Sequence, residues 1–159
     1  MKLLARLLIL IAVATSCTPK ATTPDAGTQN VALETEYDSL LAVELGADDW
    51  GMRRYVMAFL KTGPNRPADS ATAVDLQKAH MENINRLAEE GKLVLAGPFL
   101  GKDSLRGIYV FDVQSIEEAK ALTETDPAIQ FGSLVMELHP WYGSAALKKV
   151  NSLHQRLEK

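Results

Sequence analysis

The chain has 159 residues, about one domain's worth and enough to bury a single core. Hydrophobic residues make up 47% and charged residues 23%, a globular balance that excludes a disordered chain. The formal net charge is −3, with no basic stripe and no aromatics interleaved with arginine, so nothing speaks for a nucleic-acid partner.

The N-terminus departs from this average. "MKLLARLLILIAVATSC" places Lys2 and Arg6 before an apolar run from Leu7 to Ala14, then small residues ahead of Cys17. That is the plan of a signal peptide over residues 1–16, with an apolar stretch too short for a permanent membrane span. "ATSC" resembles a bacterial lipobox, whose cysteine becomes the lipidated first residue of the mature protein. Cys17 is the only cysteine, so no internal disulfide competes for it. The competing reading is a plain secreted protein with an incidental cysteine. With a lipid on Cys17, the domain is expected on the periplasmic side of the envelope, held to the membrane by that anchor. Thr18, standing where an inner-membrane lipoprotein carries Asp, points to the outer membrane.

Residues 17–30 then read as the lipidated cysteine and a flexible tether, rich in Thr, Pro, Gly and Ala. In residues 31–52, Leu33, Tyr37, Leu40, Leu41 and Leu45 stand at helical spacing, which predicts a helix from Val31 to Leu45 stopped by Gly46. "GADDWGM" follows as a turn. "RRYVMAFLK" predicts a strand, and "TGPNRPADS" a loop. A helix is expected from Ala71 to Glu90, ended by Gly91. "KLVLAGPF" predicts a second strand broken at Gly97–Pro98, and "RGIYVFDV" a third. Ser115, with Glu118 three residues on, is a capping box for a second helix reaching Glu124. Pro127 interrupts that helix. "SLVMELHPWY" closes as a fourth strand. Residues 144–159 carry Leu147, Val150, Leu153 and Leu157 at helical spacing, an expected C-terminal amphipathic helix.

The order across residues 53–143 is βαββαβ, the ferredoxin-like α+β arrangement with one antiparallel sheet and both helices on one face. Tyr55, Met57, Phe59, Tyr109, Phe111 and Leu138 supply apolar groups to both faces. The open face therefore needs a cover. A second copy of the sheet gives a homodimeric α+β barrel; the alternative is the N- or C-terminal helix.

One helix position stands out. At 100° per residue His80 falls among Leu76, Ile84 and Leu87, on the face expected to be buried, while Asp75, Lys78, Glu82, Arg86 and Glu89 mark the solvent face. His80 is either a core histidine satisfied by Asn83 or a backbone carbonyl, or a proton carrier at a site. Asp126, ahead of Pro127, is a natural N-cap for a short helix.

The succession of a strand, a helix with an isolated His, "EEGKLVLAGPF", "GIYVFDV", "TDPAIQFG" and "LVMELHPWYG" resembles the YCII-related family over about residues 53–143. The resemblance implies a dimeric α+β barrel with a cleft lined by a His of the first helix and the Asp of the "DP" step. In this chain those are His80 and Asp126. It implies no metal or organic cofactor and a small-molecule chemistry, best known as dehydrochlorination of a chlorinated hydroquinone. A His–Asp pair suits proton abstraction, elimination or isomerisation. With no G-x-S-x-G and the sole cysteine committed to lipid, covalent acyl transfer is not expected.

Gly97 and Pro98 could line the cleft with backbone groups, or simply bend the strand. Trp141 could contact an aromatic substrate, or pack at an edge or interface. His80, His139 and His154 lie on three different elements without metal-ligand spacing, which argues against zinc. Two functions follow: a cofactor-independent lyase or isomerase acting on a small cyclic or aromatic molecule, or a membrane-tethered, non-catalytic module that binds a small ligand or a protein.

Overall fold

The computed structural model describes residues 36–159. The expected signal peptide, Cys17 and the tether lie outside the described residues, as does the start of the expected first helix. Among the described residues no helix is long and apolar enough to cross a membrane.

The first described helix, α1, spans Ser39–Leu45. Its N-cap is Asp38, whose carboxylate accepts the Leu41 amide at 2.9 Å, so Tyr37 stands outside the helix that the spacing predicts from Val31. Gly46 closes it in the left-handed region at φ 64°. Strand β1 runs from Met52 to Thr62 and helix α2 from Ser70 to Glu89. Strands β2 (Leu93–Pro98) and β3 (Leu105–Phe111) follow. Helices α3 (Ile116–Thr123) and α4 (Pro127–Phe131) lead to β4 (Leu134–Ser144). A 3₁₀ turn over Ala145–Lys149 and helix α5, Val150–His154, complete the chain.

The sheet order is β2-β3-β1-β4, and each neighbouring pair is antiparallel. This is the ferredoxin-like α+β fold. Alternation along each strand sends Val56, Ala58, Leu60, Leu93, Tyr109 and Phe111 to the helix-covered face, where Leu87 and Ala119 meet them. Tyr55, Val94 and Val110 form a smaller core on the opposite face, with Trp141 and Leu147 packed against them.

Two expectations are corrected by the strands and the tail. Gly97–Pro98 does not break β2: Gly97 pairs with Ile108 and Pro98 with Gly107. An edge strand tolerates proline, because the missing N–H has no ladder to serve on the outer side. Gly107 has to stay glycine, since a Cβ there would lie 2.7 Å from the Gly97 carbonyl oxygen. The tail is not one amphipathic helix. Leu147 and Val150 are half-buried, but Leu153 and Leu157 are 53% and 80% exposed. Asn151 donates to the Leu93 carbonyl at 2.7 Å, so the tail wraps the outer edge of β2 instead of extending freely.

Candidate active site

Three elements converge on one buried cluster. Helix α2 starts at the Asp69 cap, which accepts the Thr72 amide at 2.9 Å, and turns His80, Asn83 and Leu87 to its buried face. The link from α3 to α4 supplies Asp126. Pro127 cannot continue α3 but is well suited to the first position of a new helix, so Asp126 becomes the N-cap of α4. Strand β3 supplies Tyr109 from the helix-facing side of the sheet.

His80 Nδ1 lies 2.7 Å from Asp126 Oδ2. The other carboxylate oxygen, Oδ1, accepts the Ala128 amide at 2.8 Å. Capping and histidine orientation therefore coexist on one carboxylate, which is 0% exposed. With Nδ1–H donating to Asp126, Nε2 keeps its lone pair as an acceptor, and the Tyr109 hydroxyl stands 3.4 Å from it. Burial, and then the nearby Asp126 charge, push the Tyr109 phenol far above its ordinary range. Tyr109 is thus a neutral proton donor at any physiological pH.

A second strut fixes this geometry. Arg86 donates to Asn83 Oδ1 at 2.8 Å and to Thr125 Oγ1 at 2.9 Å, tying α2 to the residue just before Asp126. The Asn83 Oδ1 is spent here, its Nδ2 is buried without a partner among the described residues, and the ring nitrogens of His80 are served by Asp126 and Tyr109.

His80 and Tyr109 open onto a cleft of about 390 Å³ between α2, β2 and the tail. Leu60, Ile84 and Leu134 give it apolar walls. Gly97 and Pro98 line it, so these two sequence candidates share a cleft with His80. Trp141 does not reach it. Counting from Leu138, β4 alternation carries Trp141 to the opposite face, where its ring sits 5.8 Å from that of Tyr55. Tyr109 was missed because, within "GIYVFDV", it reads as one more apolar strand residue. Arg106 also lines the cleft, along with Asn151 and His154 of α5. Among the described residues no three His, Cys, Asp or Glu side chains cluster to hold a metal ion.

The YCII-related domain family matches residues 57–142, more than half of the chain, from within β1 to within β4, a span that carries His80, Tyr109 and Asp126. The chain belongs to that family. Over 62 residues it is 36% identical to the uncharacterised protein YjpA of Bacillus subtilis strain 168, a match spanning 39% of this chain and 71% of YjpA. Among solved structures it is similar to the 5-chloro-2-hydroxyhydroquinone dehydrochlorinase TftG from Burkholderia phenoliruptrix AC1100, in complex with 2,5-dihydroxybenzoquinone. That match has 21% identity and a TM-score of 0.42, covering 54% of this chain and 92% of TftG. In this YCII-related domain the His–Asp pair bridges the two helical segments, and the cleft is shared between the domain and the tail that follows it.

Proposed function

We propose that the cleft is the active site of a cofactor-independent lyase or isomerase acting on a small cyclic or aromatic molecule. The observation that carries this reading is the 2.7 Å contact between His80 Nδ1 and Asp126, which leaves Nε2 directed to Tyr109 and the cleft. Asp126 stabilises the imidazolium that forms when Nε2 takes a proton from substrate carbon. The Tyr109 hydroxyl donates to the oxygen on which negative charge then develops. His80 returns the proton to a second carbon in an isomerisation, or to the medium as a leaving group departs in an elimination.

The test is a panel of cyclic enols, lactones and halogenated phenols, with proton exchange at carbon followed by NMR. His80→Gln is expected to lower turnover by about 10²–10⁴-fold with the fold intact. Unchanged exchange in that variant would remove His80 from the chemistry. Failure of the wild type to turn over any of them, with ligand still bound, would favour a non-catalytic binding module.

We further propose that the chain is a lipoprotein of the periplasmic side of the envelope, anchored through Cys17. Support comes from the charged, apolar and small-residue succession of residues 1–17. Cys17→Ser is expected to move the protein from the membrane pellet to the soluble fraction and to abolish palmitate incorporation. A homodimer completes the proposal, supported by Met57, Phe59 and Val135, which the tail leaves partly exposed on the second sheet face. Sedimentation at the mass of a single chain would refute it.

A further inference from the structure

Arg106 stands in the cleft for a reason that simple strand alternation does not supply. Leu60 pairs with Gly107 and Lys61 with Leu105, so Arg106 is the extra residue of a β-bulge in β3. Tyr109 and Phe111 face the helices, and strict alternation from them would place Arg106 on the far face beside Ile108. The bulge instead brings it to the side where it lines the His80 cleft and the smaller cleft next to it. Bulges re-aim side chains in this way beside sites.

The lining of the cleft that Arg106 shares carries no negative charge. Acidic residues outnumber basic ones in the chain, 20 against 17, yet no Asp or Glu is among the described residues that line the cleft. Asp126 is behind His80 and fully buried. None of the ion pairs among the described residues uses Arg106. The other polar side chains of the wall are the amides of Gln77, Asn85 and Asn151, the Tyr109 phenol and the imidazoles of His80 and His154, none of them an anion. A guanidinium without a counter-charge, at the rim of an apolar cleft, is a receptor for a planar anion.

We propose that Arg106 is a specificity-determining residue and that the ligand of this cleft is a small ring or chain bearing one ionised acidic group, a carboxylate or an acidic enol. The acidic group pairs with Arg106 while the apolar body lies against Leu60, Ile84 and Leu134. This deepens, and rests on, the assignment of the His80 cleft as the active site. It also places a positive charge in the cleft that favours an enolate.

Benzoate and benzamide test it, because they share a ring and a shape and differ in charge. In titrations of the full chain at low salt, benzoate is expected to bind about tenfold more tightly than benzamide. Added salt narrows that gap, since the guanidinium is exposed. Arg106→Gln, at a solvent-exposed position that leaves the melting temperature unchanged, erases the preference, and Arg106→Lys restores part of it. His80→Gln keeps the preference. Equal affinity for the two probes, no measurable binding of benzoate, or a preference that survives Arg106→Gln would each overturn the inference. Absence of turnover alongside an intact, Arg106-dependent charge preference would instead overturn only the catalytic reading of the cleft.

Discussion

Asp126→Asn is expected to lower turnover by about 10³-fold or more while leaving the protein folded, because it forces His80 into the wrong tautomer. The reason lies in the second oxygen of the carboxylate. Oδ1 accepts the Ala128 amide at the start of α4, at 2.8 Å. An asparagine at 126 keeps that cap only by placing its own Oδ1 there, which turns its NH₂ group towards His80 Nδ1. That NH₂ is a donor, so Nδ1 has to offer its lone pair and the ring proton moves to Nε2. Nε2 then has no lone pair with which to accept a proton. Nitrogen-15 NMR of the imidazole reads the tautomer directly, and steady-state kinetics read the consequence. Asp126→Ala is a different perturbation. It removes the cap and leaves a buried His80 N–H without an acceptor, so about 2–4 kcal/mol of stability is lost as well. An asparagine variant with the Nε2–H tautomer and undiminished turnover would show that His80 is not the base.

How far this site could be read in the sequence depends on which contacts are local. His80 was legible as a buried-face residue, since helical periodicity depends only on neighbours within two turns. Asp126 was legible as a cap for the same reason. That the two meet across 46 positions in the chain was implied only by the family resemblance. The capping box at Ser115 was partly legible: Ser115 Oγ accepts the Glu118 amide, but the Glu118 carboxylate reaches the Gln114 amide and not that of Ser115. Arg106 was not legible, because a bulge is a property of two paired strands and neither strand alone shows it. The tail misled in the opposite sense. Its leucine spacing is helical, but a short amphipathic stretch takes its shape from the surface available to it. Here that surface is the narrow edge of β2, held through Asn151, which leaves Leu153 and Leu157 without a partner face.

The tail is held from a second side, and the expected effect of breaking that hold is the largest on stability away from the His80 site. Asp112, just after β3, has a side chain only 10% exposed and binds two cations. One is Arg53 at the start of β1; the other is Lys148 of the 3₁₀ turn, at 3.4 Å. Arg53 also donates to the Leu45 carbonyl at 2.6 Å and lies 5.4 Å from the centre of the Tyr55 ring. One carboxylate therefore clamps α1 through Arg53 and the tail through Lys148. Arg53→Met keeps most of the apolar stem but strands the Leu45 carbonyl and leaves Asp112 with its weaker partner. Removing one member of such a pair costs more than removing both. The expected loss is about 2–3 kcal/mol, below the usual figure for a buried pair. Lys148 remains, and the Arg53 Nε, buried without a partner, is lost without penalty. Urea unfolding of Arg53→Met and of Arg53→Met/Asp112→Asn measures it, with the double variant recovering roughly 1 kcal/mol by discharging the orphaned carboxylate. A single variant within about 0.5 kcal/mol of wild type would mean that the clamp contributes no more than an exposed ion pair. Because α5 brings Asn151 and His154 to the cleft, the destabilised variant is also expected to bind cleft ligands more weakly with His80 and Arg106 untouched.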